Sequence, residues 1–210
     1  MGKVASFAIE QVPSLVGKTV LVTGGNTGIG YAAAEAFVAR GASVIIAGRD
    51  AAKVTEAATK LSHGTTGEIV DLASLTSIDA FVSKLRRERT SIDVLVDNAG
   101  VFVPPHRKTA DGFEVTLGVN VIGTAHLTHG LLPLVAASAS GRIVVLSSDM
   151  VKMVPAADLE KRLADVGGRT ATESTMAMYS QSKALNTLYA AALQARCSAS
   201  QSAKHVVVSR

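Results

Sequence analysis

The chain has 210 residues, of which 48% are hydrophobic and 18% are charged, and its formal net charge is +4. This composition is typical of one folded domain and excludes a disordered, collagen-like or coiled-coil chain. A single cysteine excludes an internal disulfide framework and predicts a reducing, cytoplasmic location, and the lack of tryptophan argues against nucleic-acid binding. We expect no membrane span, because no window reaches the ~18 to 20 uninterrupted apolar residues that a span needs.

Short runs of valine, isoleucine and leucine alternate with longer amphipathic segments along the chain. The runs predict strands at residues 19–23, 43–47, 68–70, 92–96, 142–146 and 205–208. The segments between them predict helices at about residues 29–40, 50–61, 75–89, 113–131 and 175–196. Near-continuous apolar runs are typical of parallel strands that are covered on both faces. We therefore predict an α/β fold, a doubly wound parallel sheet with helices on both faces.

Residues 149–174 form a long stretch between the fifth predicted strand and the last helix. Connections of this length are uncommon in compact domains. The stretch is expected to be either a functional loop or a small inserted helix, for which residues 157–166 are the candidate.

A glycine-rich turn, TGGNTGIG, directly follows the first predicted strand and opens the first helix. Glycines let the backbone approach a phosphate, and a helix N-terminus offers N–H groups without partners. The spacing differs from the general G-x-G-x-x-G pattern, so an ordinary tight turn is the alternative. The strand–turn–helix setting favours dinucleotide binding. The candidate cofactor-binding residues of this turn are Gly24, Asn26, Thr27, Gly28, Ile29 and Gly30.

The end of the second predicted strand carries Gly48, Arg49 and Asp50. At this edge of a dinucleotide site a carboxylate accepts from the ribose 2′-hydroxyl, whereas a cation pairs with a 2′-phosphate. Gly48 leaves room there, and Arg49 offers a planar set of donors suited to a phosphate. The alternative is a surface arginine beside a helix that Asp50 caps. Together with the glycine turn, Arg49 favours NADP(H) over NAD(H).

Further polar residues follow two later strands or lie on the last two predicted helices. Asn98 and Ser148 come at strand ends, where the carboxyl edge of a parallel sheet binds ligands, and Asn120 lies in the long fourth helix. Tyr179 and Lys183 are four residues apart and share one helix face. An ammonium beside a phenol favours the phenolate, which gives an acid/base pair usable near neutral pH. Each residue alone could be a turn cap or a surface side chain, but their conjunction indicates a catalytic site.

These motifs together resemble the short-chain dehydrogenase/reductase family. TGGNTGIG, DNAG, the asparagine of GVNVIG, the serine pair after RIVVL and the sequence YSQSK occur in the family's order across residues 17–209. The NTGIG turn, LGVNVIGTAHLT and YSQSKALN look closest to the retinol-dehydrogenase-like branch. The resemblance implies a Rossmann-type fold that binds a nicotinamide cofactor. We divide the chain into an N-terminal extension, residues 1–16, and a single dinucleotide-binding domain, residues 17–210.

The resemblance also implies a role for each candidate residue. Tyr179 exchanges a proton with the substrate oxygen, to which Ser148, rather than Ser147, donates a hydrogen bond. Lys183 contacts the nicotinamide ribose and favours the phenolate of Tyr179, and Asn120 holds a water that leads to Lys183. The catalytic candidates are thus Tyr179, Lys183, Ser148 and Asn120. Tyr179 and Lys183 are also expected to contact the cofactor, as are Asp71, Leu72, Asn98, Ala99 and Gly100, and no metal ligands are expected.

The chain departs from the family pattern in two places. Asp97 stands where the family more often has asparagine, and we expect little effect because the following Asn98, Ala99 and Gly100 are intact. Family members continue past the sixth strand with a substrate loop, another helix and a seventh strand. We therefore expect a domain that is incomplete at the C-terminus and lacks these last elements.

The predicted function is that of an NADP(H)-dependent oxidoreductase that interconverts a carbonyl and an alcohol, with Tyr179 as the general acid/base. Its substrate is a small molecule, and the branch suggests a lipophilic one. The alternative is a non-catalytic dinucleotide-binding or interaction protein derived from a shortened dehydrogenase. The helices that carry Asn120 and Tyr179 resemble the family's dimer-forming pair, so a homodimer is expected.

Overall fold

Six parallel strands form a single sheet in the computed structural model, which describes residues 9–61, 64–102, 108–170 and 173–210. The order of the strands across the sheet is β3-β2-β1-β4-β5-β6. The strands are β1 (Thr19–Thr23), β2 (Ser43–Gly48), β3 (Thr66–Ile69), β4 (Val94–Asp97), β5 (Arg142–Val145) and β6 (Val207–Ser209). The predicted doubly wound parallel sheet is therefore confirmed.

Helices connect the strands in the alternation that the sequence predicts. They are α1 (Gly28–Ala39), α2 (Ala51–Leu61), α3 (Leu75–Glu88), α4 (Val115–Ala136), α5 (Ala156–Ala164) and α6 (Thr175–Ala199). Within α4, Gly118–Gly123 is a π-helical segment. The stretch of residues 149–174, called the excursion below, contains a short turn, Asp149–Met153, and then α5, which confirms the inserted helix.

Several elements begin or end away from their predicted bounds because hydrogen bonds, and not hydrophobicity, decide where pairing starts. Ile92 is apolar and buried, but its N–H donates to Leu134 O in α4, so β4 begins two residues later. His205 likewise precedes β6, and its Nε2 contacts Ser138 O at 2.8 Å. The helices α4 and α6 extend beyond their predicted ends.

Alternate residues of the central strands face opposite layers of helices. Val20 and Val22 pack into a cluster with α1 and α2, whereas Leu21 packs into a larger cluster with α3, α4 and α6. Both faces are thus covered, which explains why the strands are apolar at successive positions. The strand order reverses between β1 and β4, and this switch point is where open α/β sheets bind ligands.

Candidate active site

A cleft of about 480 Å³ lies at the carboxyl ends of β1, β2 and β4. It is lined by eleven of the predicted cofactor-binding residues, Gly24, Asn26, Thr27, Ile29, Gly30, Arg49, Asp71, Leu72, Asn98, Ala99 and Gly100. Gly28, Tyr179 and Lys183 are outside this lining. The structure thus brings most of the predicted residues together from four separate segments of the chain.

The glycine turn has a backbone that larger residues would disturb. Gly24 has φ +65°, and a Cβ there would lie 3.0 Å from Asn98 Nδ2. A Cβ on Gly30 would collide with Gly24 O and with the same Nδ2. This close packing brings the N-terminus of α1 against the ends of β1 and β4, and the first N–H groups of a helix have no partners within it. The turn therefore places the start of α1, whose first N–H groups have no partners within the helix, at the edge of the cleft, as a phosphate site requires.

Thr23 and Asn98 join the ends of β1 and β4 beneath the cleft. Thr23 Oγ1 accepts from the N–H groups of Asn98 and Ala99, both at 3.0 Å, and donates to Val96 O. Asn98 Nδ2 donates to Thr23 O at 2.8 Å. Asn98 is thus a structural link as well as a lining residue, and these bonds fix the floor of the cleft.

The edge of the cleft at β2 carries two cations, Arg49 and Lys53. Lys53 was not among the predicted residues, because its position on α2 gave no motif. Asp50 caps α2 by accepting from the Lys53 N–H at 3.2 Å, and this bond, with the nearby ammonium, holds the Asp50 pKa below its usual value. Both interpretations of the Arg49-Asp50 sequence are therefore compatible: Asp50 caps the helix and Arg49 lines the cleft.

Asn120 is fully buried within the π-helical segment of α4, which excludes an exposed polar position. Its Oδ1 accepts from Val101 N at 2.8 Å, and its Nδ2 donates to Val101 O and to Ser182 Oγ. π-Helical turns inside α-helices are frequently found at functional sites. Asn120 connects α4, α6 and the segment after β4 at a single point beside the cleft.

Lys183 lies 3% exposed on α6, beside the same segment. Its Nζ donates to Leu146 O at 2.9 Å, and Leu146 lines the cleft. Burial lowers the pKa of Lys183 to about 8. The Nζ is 5.8 Å from the centre of the Tyr179 ring, and the Phe102 ring packs edge-on against that ring at 4.7 Å. Tyr179 and Lys183 thus form the predicted pair on one face of α6.

The two serines after β5 have different environments. Ser147 Oγ bonds to Lys183 O and to Thr187 Oγ1, so its hydroxyl holds α6 in place. Ser148 is the N-cap of the Asp149–Met153 turn, and its Oγ accepts from Met150 N at 3.3 Å. An accepting oxygen keeps its own proton for another partner, so Ser148 is the serine that is able to donate to a ligand.

Asp97 ends β4 with a buried carboxyl, a feature that the sequence did not reveal. Its Oδ2 lies 2.7 Å from Thr128 Oγ1, while its Oδ1 has no hydrogen-bond partner in the described part of the chain. Burial raises the pKa of Asp97 to about 7. The expectation that this departure from asparagine has little effect therefore overlooked the burial of its charge.

Comparison with known proteins decides the family of this site. The family model of short chain dehydrogenases matches residues 18–157. The chain belongs to this family. Human retinol dehydrogenase 13 is 40% identical over 199 residues, which are 92% of this chain and 58% of that protein. Mouse retinol dehydrogenase 14 is 46% identical over 151 residues, 65% of this chain and 45% of that protein. These relatives place the chain in the retinol-dehydrogenase-like branch of the family.

Solved structures confirm the Rossmann-type fold of this chain. An uncharacterized protein from Mycobacterium paratuberculosis is 34% identical with a TM-score of 0.79, covering 92% of this chain and 67% of that one. The complex of Pseudomonas aeruginosa RhlG with NADP is 27% identical with a TM-score of 0.71, covering 93% of this chain and 70% of that one. The chain spans about half the length of the curated relatives it matches.

Two further features concern metals and membranes. Within residues 9–61, 64–102, 108–170 and 173–210, no group of three or more histidine, cysteine or acidic side chains could hold a metal ion. Among the described helices, α4 is long and apolar enough to cross a membrane, with a mean hydropathy of 1.2. Just over half of that apolar window is buried within the fold, as is usual for a core helix.

Proposed function

We propose that this chain is an NADP(H)-dependent oxidoreductase that interconverts a carbonyl and an alcohol, with Tyr179 as general acid/base. The convergence of Tyr179, Lys183 and Asn120 beside the cleft is the observation that supports this proposal most. Val101 and Leu146 line the cleft, and they bond directly to Asn120 and to Lys183. Asn120 of α4 and Lys183 of α6 are therefore hydrogen-bonded to residues that line the site that would hold the cofactor.

The fit of the cleft to a dinucleotide rests on the glycine turn and the switch point. Added Cβ atoms at Gly24 and Gly30 would disturb the backbone of the turn. Free N–H groups at the start of α1 suit a pyrophosphate. Asp71, Leu72 and Ala99 would contact the adenine and ribose parts of the cofactor. Asn26, Thr27, Gly28, Ile29 and Gly100 complete the proposed binding residues.

NADP(H) is the proposed cofactor, in preference to NAD(H), because of the charges at the β2 edge. Arg49 and Lys53 both line this part of the cleft, and a 2′-phosphate is the group that pairs with cations there. Asp50 beside them accepts from the Lys53 N–H and lies 3.6 Å from Lys53 Nζ, so the preference rests chiefly on Arg49. The NADP in the RhlG complex agrees with this preference.

The side chains divide the chemistry between them. The reduced nicotinamide, when bound, supplies a hydride to the carbonyl carbon of the substrate. The Tyr179 hydroxyl gives its proton to the oxygen on which negative charge develops, and the Ser148 hydroxyl donates a hydrogen bond to that oxygen. Lys183 in its charged form stabilises the Tyr179 phenolate and binds the ribose. Asn120 Oδ1 retains one lone pair for a water, because Val101 N occupies the other.

The surface around Tyr179 supports a lipophilic substrate. Phe102 is 60% exposed, and Met153 and Met176 are 67% and 41% exposed. Phe102 packs on the Tyr179 ring, and Met176 lies one turn before Tyr179 on α6. Met153 lines a shallow pocket together with Met176, and neighbouring exposed apolar side chains are typical of a ligand-binding surface. The names of the relatives as retinol dehydrogenases point to the same substrate class. The homodimer and the cytoplasmic location stay predictions.

The test of this proposal is a Tyr179→Phe variant assayed with NADPH and a panel of lipophilic aldehydes and ketones. Loss of reduced-nicotinamide absorbance measures turnover, and a fluorescence titration measures binding. We expect the rate to fall by about 10²- to 10⁴-fold, the contribution of a positioned acid/base, while NADPH affinity is unchanged. Tyr31→Phe, which removes a hydroxyl from α1, is the matched control.

Two outcomes would contradict the proposed reaction. If Tyr179→Phe kept near-normal turnover, Tyr179 would not be the acid/base. If the wild-type chain bound NADPH but reduced no carbonyl, the non-catalytic dinucleotide-binding alternative would be favoured.

A further inference from the structure

A buried arginine lies outside the cleft and outside the residues assigned to the reaction. Arg162, on α5 within the excursion, is 2% exposed. A charged side chain is costly to remove from water unless protein groups replace its hydration. A guanidinium at this depth therefore needs a set of acceptors around it.

Each nitrogen of this guanidinium has an acceptor. Arg162 Nε donates to Gln181 Oε1 at 2.8 Å, Nη1 to Asp165 O at 3.0 Å and Nη2 to Glu173 Oε1 at 2.7 Å. Asp165 Oδ2 lies 3.7 Å from Nη1. Gln181, which is 3% exposed, belongs to α6, and Glu173 directly precedes Ser174, the N-cap of α6. Arg162 thus joins the middle of the excursion to the beginning of the helix that carries Tyr179.

Apolar packing reinforces this connection. Leu159 and Val166 of the excursion pack against a small buried cluster from α4 and α6. The cluster consists of Leu117, Val121, Met178 and Leu185. The apolar contacts are not directional, whereas the planar guanidinium has donors in fixed directions. Arg162 therefore fixes the orientation of the excursion relative to α6, while the Glu114 N–H, which donates to Gly167 O at 2.9 Å, holds the excursion to the start of α4.

The excursion connects two groups of the proposed reaction. Ser148 directly precedes it and caps its first turn, and Tyr179 follows its end by about one turn of α6. The lining of the cofactor cleft, as far as the chain is described, contains no residue of 149–174. Loss of this connection would therefore free the start of α6, which carries Tyr179, relative to Ser148, because Ser147 beside Ser148 stays bonded to Lys183 O and Thr187 Oγ1. The residues that line the cofactor cleft would stay in place.

We propose that Arg162 is a positioning residue for the reaction, because it holds the excursion against the start of α6 and so fixes Ser148 relative to Tyr179. This inference rests on the proposed function. Gln181 lies between Tyr179 and Lys183, and residues two apart on a helix do not share a face. Arg162 therefore acts through the backbone of α6 and does not touch the reacting atoms.

The inference is tested with Arg162→Met and Arg162→Lys. Lys161→Met is the matched control, because Lys161 also faces Glu173 Oε1, at 3.5 Å, but is 71% exposed. We expect Arg162→Met to lower kcat by about 10- to 100-fold, as small misplacements of reacting groups do, with an unchanged dissociation constant for NADPH. Arg162→Lys keeps the charge but not the planar set of donors, so it should recover part of kcat. Lys161→Met should behave as wild type.

A second measurement does not depend on turnover. Amide hydrogen exchange in residues 178–182 should be faster in Arg162→Met than in wild type or Lys161→Met, because the start of α6 loses its attachment. Lys183 keeps its own bonds to Leu146 O and to Ser147, so cofactor binding should not change. A fall in activity that merely follows the fraction of folded protein, with no kcat recovery in Arg162→Lys, would overturn the positioning role. Unchanged exchange at the start of α6 would also overturn it. If wild type showed no turnover, the proposed function would fail, while the exchange measurement would still decide whether Arg162 holds α6.

Discussion

Replacing Asp97 with asparagine should stabilise the protein above neutral pH. The Thr128 hydroxyl lies 2.7 Å from Asp97 Oδ2 and 2.8 Å from Thr124 O, and its single proton cannot serve both acceptors. Both hydrogen bonds form when Asp97 is protonated and donates to Thr128 Oγ1, because the Thr128 hydroxyl then donates to Thr124 O. This agrees with the burial that raises the pKa of Asp97 to about 7. An asparagine amide would donate in the same direction without ever becoming charged.

The size of the effect follows from the difference between the folded and unfolded pKa values of Asp97. The unfolded value is 3.8 and the folded value is about 7, so the folded state binds the proton more tightly. The free energy of unfolding therefore falls as pH rises from about 4 to about 7, by about 1.4 kcal/mol per pH unit. The loss at pH 8 is at most about 4 kcal/mol and should be absent in Asp97→Asn. For a chain of this size it corresponds to about 8 to 16 °C in Tm.

Thermal unfolding followed by circular dichroism between pH 5 and pH 8.5 measures this difference. Asp97→Asn should melt well above wild type at pH 8, and the gap should narrow towards pH 5. Asp93→Asn is the matched control at the opposite end of β4. Partial burial alone would raise the Asp93 pKa, but bonds from Ser138, Thr19 N–H and Lys18 hold it below its usual value. That variant should therefore lose stability at pH 8. A gap between Asp97→Asn and wild type that did not change with pH would refute the reasoning.

Two further predictions concern cofactor binding. Arg49→Ala should weaken NADPH binding by about 10- to 150-fold, because a charge-assisted hydrogen bond contributes ~1.5 to 3 kcal/mol. The affinity for NADH should be nearly unchanged, because NADH has no 2′-phosphate. Titrations of both cofactors measure the two dissociation constants. Lys60→Ala is the control, because Lys60 pairs with Glu56 outside the cleft. Equal losses of affinity for NADPH and NADH would contradict the assignment of Arg49 to the 2′-phosphate. Wild-type affinity for NADPH should fall above about pH 8, where Lys183 loses its proton, whereas Lys183→Met should bind weakly at every pH. A wild-type affinity that stays constant to pH 9 would argue against a charged Lys183 at the ribose.

The arrangement of strands and helices could be predicted because burial on both faces leaves a direct trace in the sequence. Continuous runs such as TVLVT and SVIIA become strands whose alternate residues enter the two opposite clusters. The ends of the elements were predicted less well, because they depend on partners distant in sequence. Ile92 looks like the start of a strand until its N–H bonds to α4.

The residues of the candidate site that belong to a sequence motif could be predicted, and the others could not. The glycine turn, Asn98 and the Tyr179–Lys183 pair are recognisable from spacing, and the structure places them around one cleft or beside it. Lys53 and Arg162 could not be identified, because a cation on a helix gives no sign of whether it faces solvent, a cleft or a buried acceptor. The burial of the Asp97 carboxyl was missed because a carboxylate at a strand end gives no sign in the sequence of whether it faces solvent or the core.

The π-helical turn of α4 makes the number of residues in this helix as important as their identity. Upstream of the turn, Val115 enters the larger core cluster and Leu117 the smaller one, while Leu127 and Leu131 downstream face the larger cluster. Each residue of an α-helix advances the chain by about 100° around the axis. A π-helical turn takes up one residue more than an α-helical turn, so deleting one residue within Gly118–Gly123 would restore a regular helix and leave Leu127 and Leu131 facing the sheet. The deletion would instead remove the wide turn that carries Asn120, so it should impair the site more than the packing of α4.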